Sequence, residues 1–180
     1  MRTVSPLIAV LALASCASAP NETMTTQDRV VLSGSQGTIV DVDLRRDDYS
    51  PESLVAASRE TLWDLLPEVY TDLGLPAPAA DPSIWTVAVQ DHVTMRRVGD
   101  QRMSRLLDCG NDITGPLADR NRIRLNVRTW LEEAGESTLV RSRLEATSTS
   151  VEGRAGTTTC VSRGVLEARI TQALRARISS

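Results

Sequence analysis

Arg122-Ile123-Arg124-Leu125-Asn126-Val127-Arg128-Thr129-Trp130-Leu131 alternates polar and apolar side chains without a slip. A strand sends successive side chains to opposite faces, so Ile123, Leu125, Val127, Thr129 and Leu131 fall on one side. The alternation resumes after Glu132-Glu133-Ala134-Gly135-Glu136, with Thr138, Val140, Ser142, Leu144 and Ala146 on one face. Leu139, Arg141, Arg143 and Glu145 take the other. Two such runs around a short glycine-containing loop predict a β-hairpin with one apolar and one arginine-rich face.

Before the hairpin, Ser50-Pro51-Glu52 has the form of a helix start: a capping serine, then proline, then an acid in the first turn. Leu54, Val55, Leu62, Leu65, Leu66, Val69 and Leu73 follow at helical spacing. Pro67 predicts a kink or break near Trp63, and Gly74-Leu75-Pro76 predicts a Schellman-type stop. Ala77 to Pro82 reads as a turn, Ile84 to Val89 as a strand, Arg102 to Leu107 as a shorter strand, and 110–119 as a loop. Further upstream, Val30-Val31-Leu32 and Thr38 to Leu44 flank Ser33-Gly34-Ser35-Gln36-Gly37 and predict either another hairpin or a ragged lead-in to one good strand.

After the central hairpin, Gly153 to Thr159 reads as a linker and Ser162 as the cap of a last helix. In that helix Leu166, Ile170, Ala173, Leu174 and Ile178 form one stripe, and Arg169, Arg175 and Arg177 suit its negative C-terminal end. Strand, helix, several strands and helix is the order of an α+β domain. The expected architecture is an antiparallel sheet covered on one apolar face by two helices, spanning 29–180.

Composition limits the function. The chain carries 20 basic and 23 acidic residues, a formal net charge of −3, which argues against a general nucleic-acid binder. Every basic residue is arginine, as arginine-favouring codon usage would produce. The single histidine, His92, sits between Asp91 and Val93 and reads as a surface residue at a turn. Asp41, Asp43, Asp47 and Asp48 crowd one segment but lack the spacing and glycine of a calcium loop. No Gly-x-Ser-x-Gly elbow is present. No catalytic residue, metal or cofactor is expected, and the chain does not read as an enzyme.

The first residues address the compartment. Met1-Arg2 is a short positive start, and Val4 to Leu13 is an apolar run too short to span a bilayer. Leu13-Ala14-Ser15-Cys16 resembles the lipobox of bacterial lipoproteins. The resemblance implies removal of residues 1–15 and lipid on the thiol and new amino terminus of Cys16. It also implies attachment on the periplasmic side of the envelope. Ala17 after the cysteine leans, in the family pattern, towards the outer membrane. The competing reading is an ordinary signal peptide cut after Ala17 or Ala19, which would discard Cys16. Residues 16–28 read as a tether.

With Cys16 lipidated, Cys109 and Cys160 remain as an even pair in an oxidising compartment, which predicts a disulfide. A redox site lacks the Cys-x-x-Cys spacing, and two cysteines with His92 make no recognisable zinc set.

The mature chain resembles the helix-grip domains of BamC-type lipoproteins of the outer-membrane β-barrel assembly machinery. The resemblance lies in element order and in three stretches. They are Leu62-Trp63-Asp64-Leu65-Leu66, Leu73-Gly74-Leu75 and Leu166-Glu167-Ala168-Arg169-Ile170. It departs in the cysteine pair and in having one such domain rather than two. A scaffold or protein-interaction role is implied, with no catalytic residues.

The arginine face of the hairpin is the candidate interface. Pairing Leu131 with Thr138 would set Trp130 opposite Leu139, Arg128 opposite Arg141, Asn126 opposite Arg143, and Arg124 opposite Glu145. Opposed like charges destabilise a sheet, so Arg124, Arg128, Arg141 and Arg143 call for carboxylates, either internal or on a partner. An unidentified envelope protein docking there, beside Trp130 and Leu139, is one expectation. The alternative is a helix-grip carrier holding a small apolar ligand between the sheet and the first helix.

Overall fold

The computed structural model describes residues 27–33, 39–45, 52–151 and 156–179, with the backbone alone described in the first two stretches. The described residues open with β1 (Gln27–Ser33) and β2 (Ile39–Arg45), an antiparallel pair, which is the hairpin of the two arrangements expected there. β3 (Glu52–Val55) leads into α1 (Arg59–Asp72), followed by β4 (Ala79–Asp81) and the long β5 (Thr86–Met95). A run of short elements comes next: β6 (Arg97–Val98), β7 (Gln101–Arg102), the helical turn α2 (Met103–Leu106) and β8 (Leu107–Asp108). It ends with β9 (Asn111–Asp112), β10 (Gly115–Pro116) and a 3-10 turn at Leu117–Asp119. The central hairpin is β11 (Arg122–Ala134) and β12 (Ser137–Thr149), and β13 (Thr157–Ser162) and α3 (Val165–Ile178) close the chain. The fold is thus mixed α/β, with three helices among the described residues and a large antiparallel sheet in the order β4-β5-β11-β12-β13-β8.

The alternation read from the sequence sorts the hairpin's two faces correctly. Ile123, Leu125, Val127, Thr129, Leu131, Thr138, Val140, Ser142, Leu144 and Ala146 are all buried. The cross-strand partners differ from expectation. Leu131 lies opposite Val140, so Trp130 faces Arg141, Arg128 faces Arg143, Asn126 faces Glu145 and Arg124 faces Thr147. The strands run on to Ala134 and Ser137, leaving Gly135-Glu136 as the turn. Gly135 takes φ +67° and Glu136 does not turn positive, the pattern of a two-residue hairpin that demands glycine at its first position. The slip is two residues, an even number, so every side chain keeps its face.

Other differences come from pairings that local spacing does not reveal. Leu54 and Val55 belong to a strand, not to the first helix, because Glu52–Val55 pairs with 138–141 of β12. The helix begins after Ser58, whose Oγ accepts the Thr61 N–H at 3.2 Å. It runs through Pro67 without a break, held by the buried Leu62, Leu66, Val69 and Tyr70. Arg102–Leu107 is chiefly a helical turn, with Met103 and Leu106 buried at i, i+3 spacing, rather than a strand. Part of the expected 77–82 turn pairs with β5 as β4. Likewise 157–159 of the expected linker forms part of β13. Gly164, not Ser162, stands at the cap of α3. His92 is within β5 opposite Leu125 and half-buried, not at a turn.

Gly74 ends α1 as expected. Its N–H donates to the Thr71 carbonyl at 2.9 Å and that of Leu75 to the Tyr70 carbonyl at 3.0 Å, both bonds of the Schellman motif. Leu75 is buried. At φ +82°, Gly74 also crosses the backbone of Gly99, where a β-carbon would lie 2.4 Å from the Gly99 Cα.

Among the described residues one hydrophobic core draws the two long helices onto the central hairpin. It includes Leu62, Leu66, Val69 and Tyr70 of α1, Leu166, Ile170 and Leu174 of α3, and the inner residues of β11 and β12. Buried polar atoms inside it find partners, as burial requires. The Tyr70 hydroxyl lies 2.9 Å from Thr129 Oγ1, which lies 2.9 Å from Ser142 Oγ. Burial pushes the Tyr70 hydroxyl well above the ordinary tyrosine range.

Glu167 stands apart, a carboxylate only 2% exposed. β3 pairs with 138–141 of β12 and β13 with 146–149, so no described strand pairs with the edge between them. The carboxylate fills part of that gap. Glu167 Oε1 accepts the Leu144 N–H at 3.2 Å and the Ser162 hydroxyl at 2.6 Å, while buried Oε2 has no partner among the described residues. Desolvation raises its pKa from the ordinary 4.5, outweighing those hydrogen bonds. A raised folded-state pKa gives stability that is full below the unfolded value and declines as pH rises through the folded one. Glu167→Gln keeps both accepted bonds without the charge. Its urea midpoint is therefore expected to gain on wild type as pH climbs above 4.5, and parallel curves from pH 4 to 8 would refute this.

Candidate interaction face

The outward side of the sheet is built by the residues that alternate with the core. β11 supplies Arg124, Asn126, Arg128, Trp130 and Glu132, β12 supplies Leu139, Arg141, Arg143 and Glu145, and β5 supplies Thr86 and Ala88. All the residues expected at the interface share this face, yet they do not act as one cluster.

Three of the four arginines have internal carboxylates. Arg141, opposite Trp130 rather than Arg128, bonds Glu52 at 2.7 Å and Glu132 at 3.2 Å. Arg143 pairs with Glu145 at 3.0 Å and Arg124 with Asp91 at 3.1 Å. Leu139 is half-buried at the β3 side, opposite Glu132 and Leu54. Arg128 differs. It faces Arg143 across the ladder, no carboxylate among the described residues is within ion-pair distance, and its guanidinium lies 5.5 Å from the centre of the Trp130 ring. That separation is within reach of a cation–π attraction.

A groove of about 360 Å³ opens on this face. Ala88, Arg128, Trp130, Arg143, Asn126 and Glu145 contribute to its lining, together with Val89, Gln90, Asp91 and Val127. Ala88 lies opposite Arg128 and is itself buried, so a small side chain forms the floor between two long ones. The β5 half of the groove was not recognised in the sequence, because the expected strand stopped at Val89. In the structure the strand continues through a bulge, where Asp91 takes φ +52° and its N–H donates to Asn126 Oδ1 at 2.7 Å. Asp91 is thereby turned towards Arg124, a contact that no local pattern announces.

Cys109 and Cys160 are bonded, with sulfurs 2.02 Å apart and both residues buried. The bond ties the segment after β8 to β13, the strand that leads into α3. Cys16, the expected lipidation site, lies outside the described residues. No helix among the described residues is long and apolar enough to cross a membrane. Among the same residues no three His, Cys, Asp or Glu side chains gather as a metal site would need.

No protein-family model matches the chain, and no curated protein matches it.

Proposed function

We propose that this chain is a lipid-anchored periplasmic lipoprotein of the bacterial envelope, on the outer membrane, serving as a protein-interaction or scaffold module. A place in outer-membrane assembly is part of the proposal. It would be non-catalytic. Its mature domain would be helix-grip-like, with α1 and α3 laid on the inner face of the sheet and the outer face left for a partner. The observation that carries the reading is Arg128: a cation at the middle of the outer face, opposed by Arg143, beside Trp130, with no carboxylate of its own among the described residues. An anionic partner protein would relieve that opposition. The buried disulfide supports an oxidising compartment. The carrier reading has less support, because Tyr70, Leu62, Leu66 and Val69 of α1 are fully buried in the core, where an apolar ligand would have to sit.

The anchor and the face are tested separately. Cys16→Ser is expected to release the protein from membranes into the soluble periplasmic fraction. Persistence in the outer membrane after a high-salt wash would refute lipid attachment. For the face, Arg128→Glu with Trp130→Ala is expected to abolish photo-crosslinking to a partner in cells while the thermal midpoint barely moves. Interface anchors of this type are commonly worth on the order of 2 kcal/mol each when truncated. Undiminished crosslinking would return the face to ordinary solvated sheet.

A further inference from the structure

We infer that the groove on the outer face is a receptor for a single carboxylate side chain, presented by a short acidic segment of a partner protein. The inference deepens the interaction reading above and rests on it.

The charges of the groove and its rim cancel in pairs, Arg124 with Asp91 and Arg143 with Glu145. Arg128 is left over among the described residues, one positive charge at the centre. One cation matches one monoanion. A phosphate ester, with close to two negative charges, would exceed that surplus and also face the carboxylates of Asp91 and Glu145. A polyanion would meet the same acids repeatedly.

The donors fit the smaller group as well. A guanidinium presents two parallel N–H bonds that match the two oxygens of a carboxylate. Asn126 uses Oδ1 to accept the Asp91 N–H, so its amide nitrogen remains as a further donor at the groove wall. An apolar neighbour of the acidic residue would find Trp130 and Ala88 beside it. A volume of about 360 Å³ accommodates one or two side chains, not a folded element.

The test titrates the purified full-length mature protein with three capped peptides. These are N-acetyl-Leu-Glu-Leu-amide, its glutamine analogue and its phosphoserine analogue. Binding is followed through the Trp130 indole and Arg128 Nε NMR signals. The glutamate peptide is expected to saturate, the glutamine peptide to bind at least tenfold more weakly, and the phosphoserine peptide no more tightly than glutamate. Arg128→Gln, with folding checked by circular dichroism, should remove saturation, and Arg128→Lys should weaken it about tenfold through loss of the fork.

Equal affinity for glutamate and glutamine would overturn the inference. So would tightest binding of phosphoserine, no saturable binding, or glutamate binding that survives Arg128→Gln. Crosslinking to a protein in cells combined with equal affinities would sink this inference and leave the interaction module standing. A glutamate-selective groove with no crosslinked protein would keep the carboxylate receptor and remove the partner protein.

Discussion

Gly74→Ala is expected to destabilise the protein by about 3 kcal/mol, combining the cost of a left-handed non-glycine residue with that of overpacking. The sequence position looks permissive, a glycine after a helix, where alanine often costs little beyond its backbone strain. Here the added methyl would lie 2.4 Å from both the Cα and the N of Gly99, and backbone cannot rotate aside as a side chain can. The reciprocal change has the same obstruction, since a β-carbon on Gly99 would meet the Leu73 carbonyl oxygen at 2.5 Å. Gly135→Ala makes a control, because that glycine also has a positive φ but nothing within 4 Å of the added carbon. Urea denaturation should therefore rank Gly74→Ala well below Gly135→Ala. Equal losses would mean that the crossing of α1's end with the β6–β7 segment can widen without cost.

Loss of the Cys109–Cys160 bond should have a comparable effect. The two residues are separated by 51 positions, and closing a loop of that length is worth roughly 4 kcal/mol on the chain-entropy model. The enclosed loop contains the whole β11–β12 hairpin. Cys109→Ala with Cys160→Ala is expected to lower the denaturation midpoint strongly, and dithiothreitol should bring wild type to the same value. Both sulfurs are buried, so reduction should be slow until the protein opens. A double variant as stable as wild type would show that the native packing of β13 already restrains the chain as much as the bond does.

The elements that the sequence alone determined are those whose signal is local. The two-residue period of 122–131 and 138–146 chose the buried face, and a slip of two in register could not disturb that choice. The end of α1 was legible because a Schellman stop uses residues within one turn of Gly74. The stripe Leu166, Ile170 and Leu174 was legible for the same reason, though Ile178 at the helix end remains exposed. The cysteine pair was expected from an even count once Cys16 is set aside for lipid, and the two are bonded. Tertiary structure decided everything that depends on a distant neighbour. Glu52–Val55 carries residues that suit a helix, and it is a strand because the edge of β12, over eighty residues away, supplies its hydrogen bonds. The arginine face shows this most directly. Four arginines on one face look equivalent in sequence, yet Glu52 arrives on β3 for Arg141 and Asp91 arrives through a bulge in β5 for Arg124. Arg128 receives neither. Charge balance at a site is a sum over everything within a few ångströms, and only the fold determines what comes that close.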